Sequence, residues 1–247
     1  MSGHIEELAA LLHGKKLAFF GGAGVSTESG IPDFRSQDGL YSKQTELPPE
    51  TLLSHSFFMA HTDQFYDYHR RNMLHTSAQP NPAHTVLAKW EQSRLLGVIT
   101  QNIDNLHQKA GSTRVAELHG NVYRNYCMDC SKQYPLAKVL EEGLPLCDCG
   151  GLIRPDVVLY EESLPTVAWQ LALEWLLQAD VLLVGGTSLT VYPAAGLVRD
   201  FCKRGTLVII NQSPTPMDNQ ATLVVREQVG VTLAAVDAVL EERGGIM

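Results

Sequence analysis

The sequence predicts an α/β fold: an open parallel sheet with helices on both faces, joined to a smaller lobe. Three observations carry that reading. Residues 16–20, 95–100, 181–185 and 207–210 are short runs that are apolar along nearly their whole length, the pattern of strands buried on both faces of a parallel sheet. Residues 82–92, 165–178, 193–204 and 230–243 carry helical patterns and separate or flank those runs, and alternation of this kind builds a doubly covered sheet. A glycine-rich turn, Gly21-Gly22-Ala23-Gly24, closes the first run, where the strand hands over to the next element.

From the N-terminus, residues 1–16 read as a polar amphipathic helix. They lack the basic segment followed by an apolar run that marks a signal peptide. After the first strand, residues 36–78 break the alternation with two helix-like patterns rich in aromatics and histidines. Pro82, Pro165 and Pro193 open the next helices, since proline's fixed φ suits a first helical turn. Residues 122–154 form a cysteine module, and residues 211–219, with Pro214 and Pro216, form the one turn-rich linker. The expected organisation is a Rossmann-like domain from residues 1–35, 79–121 and 155–247. The helical insert 36–78 and the zinc-binding module 122–154 together form the small domain. Ligands in such folds sit at the carboxyl ends of the strands and in clefts between lobes.

Composition narrows the function. The 247 residues have a net charge of −8, which disfavours nucleic-acid binding because phosphate neutralisation needs a basic face. An acidic surface suits cationic, lysine-bearing partners instead. No run approaches the ~18–20 apolar residues of a membrane span, so a soluble, cytoplasmic protein without membrane contact is expected. Four of the five cysteines cluster as Cys127-x-x-Cys130, then sixteen residues, then Cys147-x-Cys149. A tight cluster reads as a metal site rather than a disulfide framework. Four thiolates complete a tetrahedral shell, so the expected ion is one structural Zn2+ with no open position for catalysis.

The glycine-rich turn alone is a weak dinucleotide signal. Thr27 stands where the third glycine of the usual fingerprint would be, and the acidic ribose partner expected ~20 residues on is missing. Four longer segments say more. The run from Gly22 to Arg35 reads Gly-Ala-Gly-Val-Ser-Thr-Glu-Ser-Gly-Ile-Pro-Asp-Phe-Arg. Thr100-Gln101-Asn102-Ile103-Asp104-Asn105-Leu106-His107, Glu117-Leu118-His119-Gly120-Asn121 and Gly185-Gly186-Thr187-Ser188-Leu189 follow in order. Together they resemble the signatures of the sirtuin family, in the family's order, over roughly residues 10 to 235.

The resemblance implies an NAD-dependent protein-lysine deacetylase that consumes NAD as co-substrate. In that chemistry the acyl oxygen attacks the ribose anomeric carbon, nicotinamide leaves, and the products are free lysine and O-acetyl-ADP-ribose. It implies His119 as general base, a role an imidazole suits near neutral pH, and Asn102 as the group orienting the ribose and the attacking water. It implies Asp104 and the Ile103 backbone as holders of the nicotinamide carboxamide, and Phe34 as an apolar lid. For the rest of NAD it implies Ala23 and Thr27 at the pyrophosphate, Arg35 at phosphate or ribose oxygens, and Gln101 at ribose hydroxyls. Thr187, Ser188 and Asn211 would hold the phosphate and adenosine ribose, with Thr232 at the adenine. Taken as residues alone, Asp104 and Thr232 also suit helix capping, and Phe34 plain core packing.

Residues 157–162 resemble the family strand that pairs with the substrate backbone, although many members carry glycine where this chain has Glu161. The expected partners are therefore acetylated-lysine proteins or peptides, with the oligomeric state left open. Members that remove acidic acyl groups carry tyrosine and arginine three positions apart. Here Tyr66 is followed at that spacing by His69, with Arg70 one later. One residue turns a helical side chain by ~100°, so Arg70 is expected to point away and acetyl to lead. Removal of longer acyl chains and transfer of ADP-ribose to protein remain the alternatives.

Overall fold

The computed structural model describes residues 3–34, 39 and 47–244. Its strands are β1 (Leu17–Gly21), β2 (Leu95–Thr100), β3 (Val115–Glu117), β4 (Gly120–Cys127), β5 (Gln133–Pro135), β6 (Ile153–Val157), β7 (Val181–Gly185), β8 (Thr206–Ile210) and β9 (Leu223–Val225). The helices are α1 (Gly3–Leu12), α2 (Pro49–Leu52), α3 (His55–Ala60), α4 (Thr62–Asn72), α5 (Pro82–Trp90), α6 (Leu106–Lys109), α7 (Leu136–Leu140), α8 (Thr166–Gln178), α9 (Ala194–Phe201) and α10 (Val229–Glu242).

Six strands form one parallel sheet in the order β3-β2-β1-β7-β8-β9. Successive residues of its central strands serve opposite faces, because side chains alternate across a strand. Leu17, Phe19, Val181, Leu183, Val208 and Ile210 join one core with α1, α5 and α10. Ala18, Phe20, Leu182, Val184, Leu207 and Ile209 join the other with α8 and α9. Both faces are dry, which is why these runs read as continuously apolar. The four strands expected from such runs are all present. The two added edge strands, β3 and β9, span three residues each, too short to register as runs. The chain reverses its order of winding between β1 and β7, which opens a crevice at their carboxyl ends.

The smaller sheet is antiparallel, in the order β5-β4-β6. The helices of the insert share one core with it and with α7, Phe57, Phe58, Phe65 and Tyr66 joining Val122, Ile153 and Val157 of the sheet and Val139 of the helix. Phe58 and Phe65 meet edge-on at 4.8 Å. The Tyr66 hydroxyl donates to the Ile153 carbonyl, and Arg70 donates from Nε to the Val139 carbonyl at 2.7 Å and from Nη2 to that of Gly143 at 2.5 Å. Helical insert and cysteine module thus share one core and a set of polar ties. In the segment read as the substrate strand, regular pairing ends at Val157. Beyond it the chain continues in single contacts, Val158 N–H to the His119 carbonyl and Tyr160 N–H to that of Leu53.

Between α5 and α6 lies a pair of buried imidazoles. His84 closes a capping box with Asn81 at the start of α5, and its ring sits edge-on to His107 at 4.7 Å. Burial pushes His84 down to about 4, with Asp104 opposing in part, and pushes His107 well below the ordinary value, with His84 adding to it. A folded state that resists protonation loses ground to an unfolded chain that accepts it. Stability is therefore complete above about pH 6.5 and declines as pH falls toward 4. For His84 alone the decline is on the order of 3 kcal/mol. Urea midpoints measured from pH 7 down to pH 4.5 should fall, and less steeply in His84→Gln. A flat profile, or one identical in the variant, would contradict this origin.

Candidate active site

The crevice at the β1–β7 junction is a cavity of about 460 Å³, within the range of small-molecule sites. Its floor depends on glycine. The Gly24 N–H donates to the Gly186 carbonyl at 2.8 Å, and a Cβ on Gly24 would lie 2.7 Å from Gly186 Cα. Gly186 itself has φ +58, and a Cβ there would lie 2.3 Å from the Val25 nitrogen. Backbone contact this close leaves no room for a side chain. It also spends donors. The N–H groups of Gly22, Gly24, Val25 and Ser26 are all paired inside the protein. Ala23 and the facing loop with Thr187 and Ser188 line the cavity. The Thr27 hydroxyl, also at the wall, donates to the Gly24 carbonyl at 3.0 Å.

The short 3₁₀ turn after this contact delivers Ser26, fully buried. Its Oγ donates to Asp104 Oδ2 at 2.7 Å and accepts from Asn102 Nδ2 at 3.0 Å. The other Asp104 oxygen accepts from the Leu106 N–H at 2.9 Å. Asp104 thus both accepts from the first N–H of α6, whose N-cap is Asn105, and lines the cleft, and the two uses do not compete. A carboxylate has about four lone-pair sites, so acceptor capacity remains for an amide. Ile103 and Phe34 line the same part of the cavity and pack on the small-lobe core.

Beyond β2, the Gln101 carbonyl lies 3.0 Å from His119 Nδ1. A carbonyl can only accept, so Nδ1 carries the proton and Nε2 keeps its lone pair. Burial lowers the His119 pKa, with the bond to Gln101 opposing, and the ring is therefore neutral and basic at neutral pH. The Gln101 side chain donates to Thr187 Oγ1 at 3.0 Å, tying the β2 loop to the β7 loop. Ser188 pairs with Thr190 at 2.8 Å, and Asn211 donates to the Ser213 carbonyl at 2.7 Å.

Of the residues expected at the cofactor, Ala23, Thr27, Phe34, Gln101, Asn102, Ile103, Asp104, His119, Thr187, Ser188 and Asn211 all line this one cavity. Arg35 lies outside the described residues. Thr232 is not at the wall. It is fully buried inside α10 and its hydroxyl donates to the Gln228 carbonyl at 2.8 Å. The helix enters the cavity one turn earlier, through Glu227, Gln228 and Val229. Ser26 was passed over by residue-level reasoning although it sits in the quoted motif, because a serine in a turn carries no chemical signal by itself. Glu162 was passed over too. Burial would raise its pKa, but the Arg154 guanidinium and the Leu159 N–H hold it at about 2. Arg154 grips both its oxygens at 2.8 and 3.0 Å.

Glu161 adopts φ +77, the left-handed region that glycine enters freely. Its carboxylate accepts from the Ser56 N–H and hydroxyl, each at 2.9 Å, and so straps the segment to α3.

The four cysteines bring their sulfurs within 4.8 Å of one another. The closest pairs are 3.5, 3.6 and 3.5 Å apart. Tetrahedral zinc with bonds of ~2.3 Å requires sulfur edges of ~3.8 Å, so the set fits that ion with little movement. The Tyr134 hydroxyl donates to Cys147 Sγ at 3.1 Å, an outer-shell bond of the kind that steadies a thiolate ligand. The glycines after the Cys-x-Cys pair take up the tight spacing, Gly150 at φ +89 and Gly151 with Cys127 Sγ 2.7 Å from where a Cβ would be.

The Sir2 family model matches residues 22–193. The chain belongs to the Sir2 family. An NAD-dependent protein deacetylase of Clostridium acetobutylicum is 51% identical over 94% of this chain and 97% of its own length. One from Cutibacterium acnes is 51% identical over 88% and 91%. A solved Sir2 complex with deacetylated p53 peptide and 3'-O-acetyl-ADP-ribose has a TM-score of 0.89 at 40% identity, covering 98% of this chain and 99% of that one. A Sir2 complex with p53 peptide and NAD+ has a TM-score of 0.84 at 41% identity, covering 99% of each.

For this Sir2-family protein the metal expectation is direct. Purified chain should carry one zinc per molecule by elemental analysis. Cys127→Ala should lose the metal and become protease-sensitive in the small lobe, losing activity only through that unfolding. A well-folded but inactive Cys127→Ala protein would overturn the structural assignment.

Proposed function

We propose that this protein is an NAD-dependent protein-lysine deacetylase, with acetylated-lysine proteins or peptides as substrates. The observation that carries the reading is the fixed tautomer of His119. Its Nδ1 is held by the Gln101 carbonyl, and its Nε2 lone pair is left for the cavity that Asn102 and Asp104 also line. When bound, NAD supplies an electrophilic anomeric carbon and a nicotinamide leaving group.

The protein's part follows from the groups in place. Asp104, steadied by Ser26 and Leu106, accepts from the carboxamide NH2 and holds the ring away from the ribose. Phe34 covers the reacting centre and excludes water, which strengthens electrostatic interactions inside. Asn102, fixed through Nδ2 on Ser26, orients the ribose and, later, water. His119 Nε2 would take a proton from a ribose hydroxyl, and the water that Asn102 orients would supply the oxygen. Acetyl-lysine, NAD and one water would then give free lysine, nicotinamide and O-acetyl-ADP-ribose. Strand addition along residues 157–162 would seat the peptide through main-chain bonds, which accommodate many sequences.

An acetyl-lysine peptide incubated with and without NAD, and followed by mass spectrometry, tests this. Acetyl should be lost only with NAD, with O-acetyl-ADP-ribose formed in step. His119→Ala should lower kcat by about 10²–10⁴-fold. Acetyl loss without NAD, or full activity in the variant, would sink the reading, and a peptide that gains the ADP-ribose mass would replace it with transfer to protein.

A further inference from the structure

Between the glycine contact and Gly30, residues 23–29 carry a single charged side chain, Glu28. It sits on the second 3₁₀ turn, next to Thr27 of the cavity wall, and does not itself line the cavity. Its carboxylate reaches α10, 202 residues along the chain, where Oε2 accepts from the Gly230 N–H at 2.6 Å. The start of α10 needs such a partner. Its N-cap, Gln228, makes no side-chain capping bond, and the first N–H groups of a helix have no acceptor within it. A carboxylate there also meets the positive end of the helix dipole. Glycine makes the approach possible, since a Cβ on residue 230 would lie 2.7 and 2.8 Å from the two Glu28 oxygens.

The turn of chain that Glu28 holds belongs to the cavity wall. Gln228 and Val229 line the cavity on the same side as Asn211 and Ser213, which follow β8. Asp104 and His119 follow β2 and β3, at the opposite end of the sheet order. With nicotinamide held at Asp104, the adenosine half of NAD meets the wall made by the β8 loop and α10. We infer that Glu28 is a positioning residue for NAD, fixing the adenosine wall at α10 to the turn that carries Ala23 and Thr27. The inference rests on the deacetylase reading and adds to it a residue that sets cofactor affinity from outside the cavity.

The adenosine half takes no part in bond breaking, so its contacts are alike in the ground state and the transition state. Loosening them weakens NAD binding and leaves the chemical step alone. The peptide side is held separately, through Glu161 on Ser56 and Glu162 on Arg154.

NAD affinity by calorimetry, kcat, and KM for an acetyl-lysine peptide are measured for the wild type, Glu28→Ala, Glu28→Gln, Gly230→Ala and the double alanine variant. Glu28→Ala should weaken NAD by roughly tenfold, the worth of one hydrogen bond to a charged group. Its kcat and peptide KM should stay within about twofold of wild type. Glu28→Gln keeps an acceptor for the Gly230 N–H and should retain most of the affinity. Gly230→Ala separates positioning from stability. Alanine favours a helix over glycine, so the thermal midpoint should hold, yet the added methyl displaces the carboxylate and NAD should weaken as in Glu28→Ala. The double variant should bind no more weakly than either single one, because both remove the same contact. Unchanged NAD affinity in either single alanine variant overturns the inference. So do matching losses in kcat and peptide KM, a glutamine variant as weak as alanine, or additive losses in the double variant. If the wild type binds NAD but consumes no acetyl peptide, the deacetylase reading falls and the affinities still decide this inference; if it binds no NAD, both fall.

Discussion

The active cleft hangs on a backbone contact at its floor, where the Gly24 N–H meets the Gly186 carbonyl at 2.8 Å. That contact joins the loop after β1 to the loop after β7, at the point where the sheet changes its direction of winding. Because a Cβ at either glycine would collide with the other loop, the two loops have one way to meet. The turn they form places Ser26, Ser26 places Asp104 and Asn102, and the Gln101 beside them fixes the His119 ring. A chain of short, mostly buried hydrogen bonds therefore carries geometry from the sheet to the His119 ring. Buried polar networks of this kind are stabilising only when every member is satisfied, and each link named here has its partner.

Much of this was legible from residues alone. The four central strands were visible because burial on both faces removes all alternation, and the cysteine spacing announced its tetrahedral cluster. The two edge strands were not. Val115 to Glu117 and Leu223 to Val225 pair over only three residues, and periodicity needs more length than that to be read. The helix starts at Pro165 and Pro193 came out one residue early, with both prolines as caps rather than first-turn residues. At the site, the motifs that resemble sirtuins named the residues that touch the cavity. They could not show that the Gly22 and Gly24 N–H groups were already spent, since their acceptors lie far along the chain at Gly185 and Gly186. Thr232 illustrates the same limit. The resemblance implied an adenine contact there, but one turn of helix directs Thr232 into the core and leaves Gln228 and Val229 at the wall.

The substrate side shows how a departure from the family's pattern can be absorbed. Glu161 stands in a left-handed conformation that disfavours a side chain by ~1–2 kcal/mol, and two bonds from Ser56 offset that strain. Its neighbour Glu162 does different work. The Arg154 pair, with the Arg154 side chain only 9% exposed, locks the segment onto the small sheet. The strand that would meet a peptide is thus held by side chains where regular sheet pairing has already stopped.

Arg70 gives the small lobe a mechanical coupling. One guanidinium on the helix that bears His69 grasps the backbone at Val139 and Gly143, on the stretch between the two cysteine pairs. The cysteine cluster and the cavity wall at α4 are consequently two ends of the same lever. A displacement of the stretch between the cysteine pairs is therefore transmitted through one side chain to the helix at the cavity wall, so the two regions move as one body.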